Sequence, residues 1–244
     1  MWYKDWFADE RYLMLYKHRN TAEAEQLLEL IITTVAPKKD DLILDLACGA
    51  GRHSIALATR GFTHVTGIDL SATLIKKAKQ AAEDANVAVT FIESDMRSFT
   101  GQYDVIMNVF TSFGYFENDT DNEAVITHVG ESLASGGYFV LDFLNAKYLL
   151  ATINPHSMRN LDDGEEVEEF REIVNGRVNK KIIISSPGCK AEYKESVRLF
   201  DHLELDRMIT QAGMSIVKMF GTYSGESFSA ERSPRCIIVS RKEQ

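Results

Sequence analysis

The sequence predicts an α/β fold: a mostly parallel sheet with helices on both faces, and a small antiparallel unit inserted late in the chain. Three observations carry this. Short apolar runs alternate with amphipathic helical stretches between residues 40 and 145, the rhythm of parallel strands joined by right-handed crossovers. After Asn145 the alternation stops, and strand-like runs follow one another with turn signals between them. The chain has 244 residues, 45% of them hydrophobic, enough to bury a large core without disulfide staples.

The elements follow in order. Residues 4–35 read as helical. Within them Thr21 precedes AEAEQLLELIITTV, with early carboxylates and a periodic apolar face, and Pro37 with the KKDD run ends the stretch. DLILDLACGAG reads as a buried strand entering a Gly-bearing turn, and RHSIALATRG as a helix closed by Gly61. HVTGIDL is the second strand, and SATLIKKAKQAAEDAN is a helix with Ser71 as its N-cap. VAVTFIESD is the third strand, YDVIMNVF the fourth, residues 118–133 a helix and GGYFVLDFLN the fifth strand. In residues 146–199, EEVEEFREIV, NKKIIISS and EYKESVRLF read as antiparallel strands, with Asn175-Gly176 as a hairpin turn. HLELDRMITQAG is a helix ending at Gly213, and MSIVKMFGTYSG and PRCIIVSRK are two strands with no helix between them. The expected organisation is an N-terminal helical cap (1–36), a core (37–145 and 200–244) and an antiparallel β insertion (146–199).

Charge and cysteine usage bound the function. The formal net charge is -9, which repels phosphate backbones and disfavours a nucleic-acid partner. Three cysteines, Cys48, Cys189 and Cys236, show neither a disulfide framework nor paired metal-ligand spacing. They fit a reducing compartment. The first residues, MWYKDWFADERY, carry early charges and no apolar secretory core, and no apolar run reaches membrane-spanning length. A cytoplasmic location and no membrane partner are therefore expected.

The sharpest feature is LDLACGAGRHSIALA. A strand delivers Asp45, and Gly49 and Gly51 make a turn whose backbone can approach a ligand at the following helix N-terminus. A dinucleotide fingerprint wants a third small residue where Ser54 stands. Asp45 would also meet a pyrophosphate, whereas a carboxylate there suits a cationic ligand end such as an α-amino group. Asp69 ends the second strand about 20 residues after the glycines, the spacing that sets an acid on a ribose diol. Asp95 ends the third strand, placed to accept from an adenine exocyclic amine, with the Met96 N–H facing a ring nitrogen. Each feature also has a plain structural reading: a tight turn, a helix-cap partner, a solvated loop acid.

Three strand-end acids around a glycine loop resemble the class I S-adenosylmethionine (SAM)-dependent methyltransferase family. LDLACGAG is similar to its first motif, GIDLS to its second and ESDMRSF to its third. YDVIMNVFTSFGYF and LASGGYFVLDFLN resemble its later blocks, and the terminal strand pair fits as well. The resemblance implies a Rossmann-like seven-stranded sheet with an antiparallel last strand, and it points to a bacterial small-molecule-type subgroup with a β-rich insertion after strand five. One departure is Cys48, where many members have glycine. The implied cofactor is SAM. Ala47, Cys48 and Gly49 would line its methionine end, and Asp45 would hold the amino group directly or through water. Asp69 would take the ribose hydroxyls, Leu70 would pack on adenine, and Asp95 and Met96 would read its edge. Asn108 and Val109 would lie beside the sulfonium. Tyr12, Tyr16 and Arg19 would close over the cofactor; a plain capping helix is the competing role for that segment.

Acceptor-side candidates are Ser112, Phe113, Tyr115 and Phe116 after the fourth strand, Asp142, Phe143 and Asn145 on the fifth, His18, and Arg235. For the aromatics, core packing is the competing role. The expected partner is a small-molecule methyl acceptor, on a monomer or homodimer. Two other readings stay open: a nicotinamide-dependent oxidoreductase, and a non-catalytic protein binding SAM or S-adenosylhomocysteine (SAH).

Overall fold

The computed structural model describes residues 2–16, 21–161 and 164–243. Two short helices, α1 (Trp2–Trp6) and α2 (Glu10–Tyr16), precede the long α3 (Thr21–Val35). The first helical stretch is thus broken at residues 7–9. Aromatic side chains explain the break: Trp2, Tyr3, Trp6, Phe7 and Tyr12 pack on different surfaces, which one straight helix cannot reach.

β1 (Leu42–Leu46), α4 (Arg52–Thr59), β2 (His64–Asp69), α5 (Ala72–Asp84), β3 (Thr90–Glu93), β4 (Tyr103–Asn108), α6 (Asp119–Ser132) and β5 (Leu133–Leu144) alternate as expected. The Ser71 hydroxyl caps α5 by accepting the Leu74 N–H at 3.3 Å, and Gly61 follows α4 with φ +86°. The third strand is shorter than its apolar pattern: pairing with β2 starts at Thr90 and ends at Glu93. Asp95 therefore lies in the loop beyond it.

The insertion holds α7 (Ala146–Thr152), then β6 (His156–Asn160), β7 (Glu166–Val174), β8 (Arg177–Ser186) and β9 (Cys189–Arg198), an antiparallel sheet in that order. Helix α7 and strand β6 are additions to the sequence reading; β6 alternates half-buried and exposed residues and carries no continuous apolar run. Asn175 and Gly176, both at positive φ, turn β7 into β8. The chain returns through α8 (His202–Gln211), opened by the Asp201–Glu204 capping box, into β10 (Met214–Phe220) and β11 (Arg235–Lys242).

The main sheet runs β10-β11-β5-β4-β1-β2-β3. β11 is antiparallel to both β5 and β10, while β5, β4, β1, β2 and β3 are mutually parallel. Apolar clusters fill both faces, one under α6 and α8, the other under α3 and α4. A third cluster joins Trp6, Leu15 and Tyr16 of α1 and α2 to Val167, Ile182 and Ile184 of the insertion. The N-terminal helices thus bridge the two sheets across the carboxyl ends of the parallel strands. No described helix is long and apolar enough to cross a membrane.

Candidate functional site

Parallel register brings the ends of β1, β2 and β3 to one rim: Leu46 faces Ile68, and Asp69 faces Glu93. Ligands of open α/β sheets bind at this edge. After β1 the chain turns sharply, with Ala47, Gly49 and Gly51 all at positive φ. The turn is tied to β2 by the Cys48 N–H donating to the Ile68 carbonyl at 2.8 Å. Asp69 organises the loop further. Its Oδ2 accepts the Gly49 N–H at 2.8 Å and its Oδ1 the Ser71 N–H at 2.9 Å.

The two glycines differ. A Cβ built on Gly49 meets nothing within 4 Å, so this edge faces open space. A Cβ on Gly51 would come within 2.6 Å of the Phe91 ring. Gly51 is therefore a packing glycine, where helix meets strand, and not the ligand contact expected of it. The Cys48 side chain points down as well, into a cluster with Ile75, Ala78 and Phe91. It fills the space that Gly67 leaves open on β2, which is how the loop accepts a cysteine.

A cavity of about 310 Å³ opens beside this loop, walled by Asp69, Leu70, Asp95, Met96, Tyr3, Phe7 and Phe116 among others. A crevice of about 150 Å³ continues from it, walled by Ala47, Cys48, Gly49, His53, Val109, Phe110, Ser112, Tyr12 and Tyr16. Ala47 and Tyr115 line both. Asp95 meets the wall with its carboxylate already gripped by Arg97, Nε at 3.0 Å and Nη2 at 2.7 Å. That hydrogen-bonded pair holds the Asp95 carboxyl below its ordinary range.

Among the described residues, three buried polar atoms beneath or within the crevice have no hydrogen-bond partner: Asp45 Oδ1, His53 Nε2 and Asn108 Oδ1. Buried polar groups are normally satisfied, so these mark places for water or ligand atoms. Burial pushes the Asp45 carboxyl up to about 7 against the pull of Ser54, whose hydroxyl donates to Asp45 Oδ2 at 2.6 Å. Burial likewise raises Asp69 against its backbone donors. Burial, helped by Arg52, lowers His53 to about 3, so its ring is neutral. An acidic, water-poor loop of this kind fits a ligand bearing positive charge. Among the described residues no His, Cys, Asp and Glu cluster could hold a metal ion.

A larger cavity, about 400 Å³, lies between the main sheet and the insertion, and shares Tyr12, Tyr16, Phe110 and Tyr115 with the crevice. Most of its charges come as pairs, with Glu23 beside them: Lys180 Nζ lies 2.8 Å from Glu195, Arg171 meets Glu169, and Arg235 lies 2.7 Å from Asp142. Burial alone would raise the Glu195 carboxyl, but Lys180, Tyr16 and Trp6 outweigh it and hold it low. Burial and neighbouring Asp142 push the Tyr223 phenol well up.

The predicted residues separate accordingly. Asp69, Leu70, Asp95 and Met96 meet in the first cavity; Tyr12, Ala47, Cys48, Gly49, Val109 and Ser112 meet in the crevice; Tyr115 and Arg235 line the cavity between the main sheet and the insertion. Asp45 and Asn108 are 1% exposed and sit below the walls. Asp45 is absent from the cavity walls, and its unpartnered Oδ1 is open to a water or a ligand atom. The Asn108 amide instead straps β4 to β1, donating to the Leu46 carbonyl at 3.0 Å. Phe113 is core, packed on Phe143 and Phe200. Asn145 is a clamp whose Nδ2 serves the carbonyls of Ser229, Ala230 and Ser233, because a buried amide at a strand end must satisfy nearby backbone. Arg235 donates to Asp142 and Thr111. His18 and Arg19 lie outside the described residues.

Sequence reasoning passed over His53, Phe110, Tyr223, Lys180 and Glu195. For His53 a signal existed: it stands in the first turn of the helix that follows the glycine loop. Phe110 directly follows the predicted Val109, while Tyr223, Lys180 and Glu195 reach the site through tertiary packing.

Residues 43–137 match the model of the methyltransferase domain family. YqeM, a putative methyltransferase of Bacillus subtilis, is 35% identical over 118 residues; the aligned part is 47% of each chain, so the match spans about half of that relative's length. A SAM-dependent methyltransferase from Clostridium acetobutylicum superposes with a TM-score of 0.81 at 18% identity, covering 96% of both chains. SAM-bound CalS10, an amino pentose methyltransferase from Micromonospora echinaspora, superposes with a TM-score of 0.70 at 20% identity, covering 96% of this chain and 97% of that one. At these identities the two structures share the fold. Residues 43–137 thus match a methyltransferase domain, and the whole chain has the fold of SAM-dependent methyltransferases.

Proposed function

We propose that the protein transfers a methyl group from SAM to a small molecule held in the 400 Å³ cavity. The observation that carries this is continuity. The Leu70–Met96 cavity shares the walls Ala47 and Tyr115 with the crevice along Ala47–Gly49, and that crevice shares Tyr12, Tyr16, Phe110 and Tyr115 with the larger cavity. SAM, when bound, supplies a methyl on a sulfonium whose sulfur leaves neutral, so alignment does most of what catalysis requires.

The chain's residues then take these parts. Asp69 accepts from the ribose hydroxyls while its backbone donors fix its orientation. Leu70 and Met96 flank the adenine, with the Met96 N–H and Asp95 at its edge. Ala47, Cys48 and Gly49 offer backbone to the methionine end, and Asp45 reaches its ammonium through water. Tyr12 and Tyr16 cover the crevice and keep bulk water out. Tyr223, held protonated by burial and Asp142, gives its one proton to Asp142 and does not act as the base.

CalS10, by its name, acts on an amino pentose. Together with paired charges and aromatic walls, this favours a compact amphipathic acceptor over a nucleic acid, which the net charge of -9 repels. The strand pair β10–β11, in place of further βαβ units, argues against nicotinamide chemistry. The test incubates the protein with methyl-tritiated SAM and a panel of small amines, phenols, sugars and carboxylic acids. Labelled product from at least one class is expected. SAH binding with no labelled product from any class would favour the non-catalytic reading, and NADH binding without SAM binding would overturn both.

A further inference from the structure

The turn after β4 places two non-glycine residues in succession in the left-handed region, Phe110 at φ +56° and Thr111 at φ +62°. L side chains rarely adopt this conformation, and a β-branched residue such as Thr111 least of all. Such a turn persists only where its surroundings over-determine it. Here the surroundings converge on one side chain, Asp142 of β5, which is fully buried. Asp142 Oδ2 accepts the Phe110 N–H at 2.9 Å, and its backbone carbonyl accepts the Thr111 N–H at 3.1 Å. Asp142 is in turn fixed by Tyr223, whose hydroxyl donates to Oδ2 at 3.0 Å, and by Arg235, whose Nε donates to Oδ1 at 2.8 Å. Arg235 also donates to the Thr111 hydroxyl at 2.9 Å.

What the turn carries makes it more than a fold detail. The Phe110 ring lies 5.2 Å from His53 on the crevice side and 5.7 Å from Tyr223 on the other. Phe110 lines both the crevice and the larger cavity. It is therefore part of the wall at which cofactor side and acceptor side meet. A relaxed turn would swing that ring away from His53 and change the width of the passage.

We propose that Asp142 is a positioning residue for methyl transfer: through its grip on the Phe110–Thr111 turn it sets the wall between the two ligands. The inference rests on the methyltransferase reading above. Asp142 touches neither ligand; it acts through the turn, and Tyr223 and Arg235 hold it in register.

The test measures SAH binding by titration calorimetry, with thermal unfolding of the same samples. Asp142→Asn keeps the shape and removes the charge that holds three donors. Its SAH dissociation constant is expected to rise roughly tenfold, about the worth of one charge-assisted hydrogen bond. Tyr223→Phe removes one donor without changing the packing and should give a smaller loss, on the order of threefold. The discriminating variant is Asp142→Asn combined with Thr111→Gly. Glycine takes positive φ without strain, so the turn no longer needs to be forced. SAH affinity should recover in the double variant while its melting temperature stays as low as that of Asp142→Asn or falls further. If affinity and melting temperature move together in every variant, Asp142 is merely structural. If Tyr223→Phe and Asp142→Asn bind SAH like the wild type, the positioning role is refuted. Wild-type protein that does not bind SAH refutes the methyltransferase reading instead, and the two failures are thereby told apart.

Discussion

Asp69 shows what a single side chain does at this rim. It is nearly buried, it accepts two loop N–H groups, and it still forms part of a cavity wall. Asp69→Ala should weaken SAM binding by about 2 kcal/mol or more, the range of hydrogen bonds to a charged group; calorimetry with unchanged affinity would remove Asp69 from the site. The glycines give a matched pair of outcomes. Gly49→Ala adds a methyl into open space at φ +57°, so it should lower affinity while costing only about 1 kcal/mol of stability for the strained backbone. Gly51→Ala drives a methyl into Phe91 at φ +80°, and should cost about 2–3 kcal/mol through overpacking; urea midpoints compare the two. His53 predicts a pH effect. Folded, it stays neutral down to about 3, whereas an unfolded histidine protonates near 6.5. Below 6.5 the unfolded chain binds the extra proton, so stability falls as pH drops from 6.5 toward 3 and is unaffected above. His53→Gln should flatten that acid limb in urea titrations across this window. The acids were legible in the sequence because strand ends and spacing place them. The separate fates of Gly49 and Gly51 were not, since the clash with Phe91 depends on a strand some forty residues away.

Helices α1 and α2 carry a different kind of claim. Glu195 of β9 accepts from Trp6 Nε1 at 2.8 Å and from the Tyr16 hydroxyl, and pairs with Lys180 at 2.8 Å. Asp9 accepts from the Tyr193 hydroxyl at 2.6 Å, and the Tyr193 ring packs on Trp6. These contacts latch the N-terminal helices to the insertion, and the helices in turn roof the crevice. Lys180→Met leaves Glu195 charged and mostly buried without its cation, which should cost about 3 kcal/mol. Amide exchange in α1 and α2 should accelerate in that variant, and adding Glu195→Gln should restore much of the loss. Exchange confined to the β8–β9 strands would mean that no latch exists. Glu195 is held below its ordinary range, so its contribution is complete above the unfolded carboxyl value and disappears as pH falls through the folded one. At this scale the sequence was informative about strands and helices with strong periodicity, from β1 to β5 and from α8 to β11. It was weak for β6 and for the break between α1 and α2, because edge-strand alternation and aromatic anchoring both depend on partners elsewhere.

Across the whole molecule, the main sheet supplies one half of the site and the insertion with the N-terminal helices the other. The cofactor half was readable from local motifs, since Ala47, Gly49, Asp69 and Asp95 follow successive strands. Of the proposed acceptor half, Tyr115 and Arg235 were readable; Trp2, Glu23, Phe110, Lys180 and Tyr223 come from five separate segments and meet in the folded chain. Phe113 and Asn145 illustrate the cost of judging by strand-end position alone, for one turned into the core and the other into a backbone clamp. On the proposed reading, one line of cavities seats the whole cofactor with its reactive end toward the insertion. Crystals of the protein with SAH test it most directly. Density should place adenine between Leu70 and Met96, the ribose on Asp69 and the homocysteine tail along Ala47–Gly49, pointing at Phe110. SAH seated instead in the cavity between the two sheets, or ordered density away from the Asp69 rim, would contradict the account.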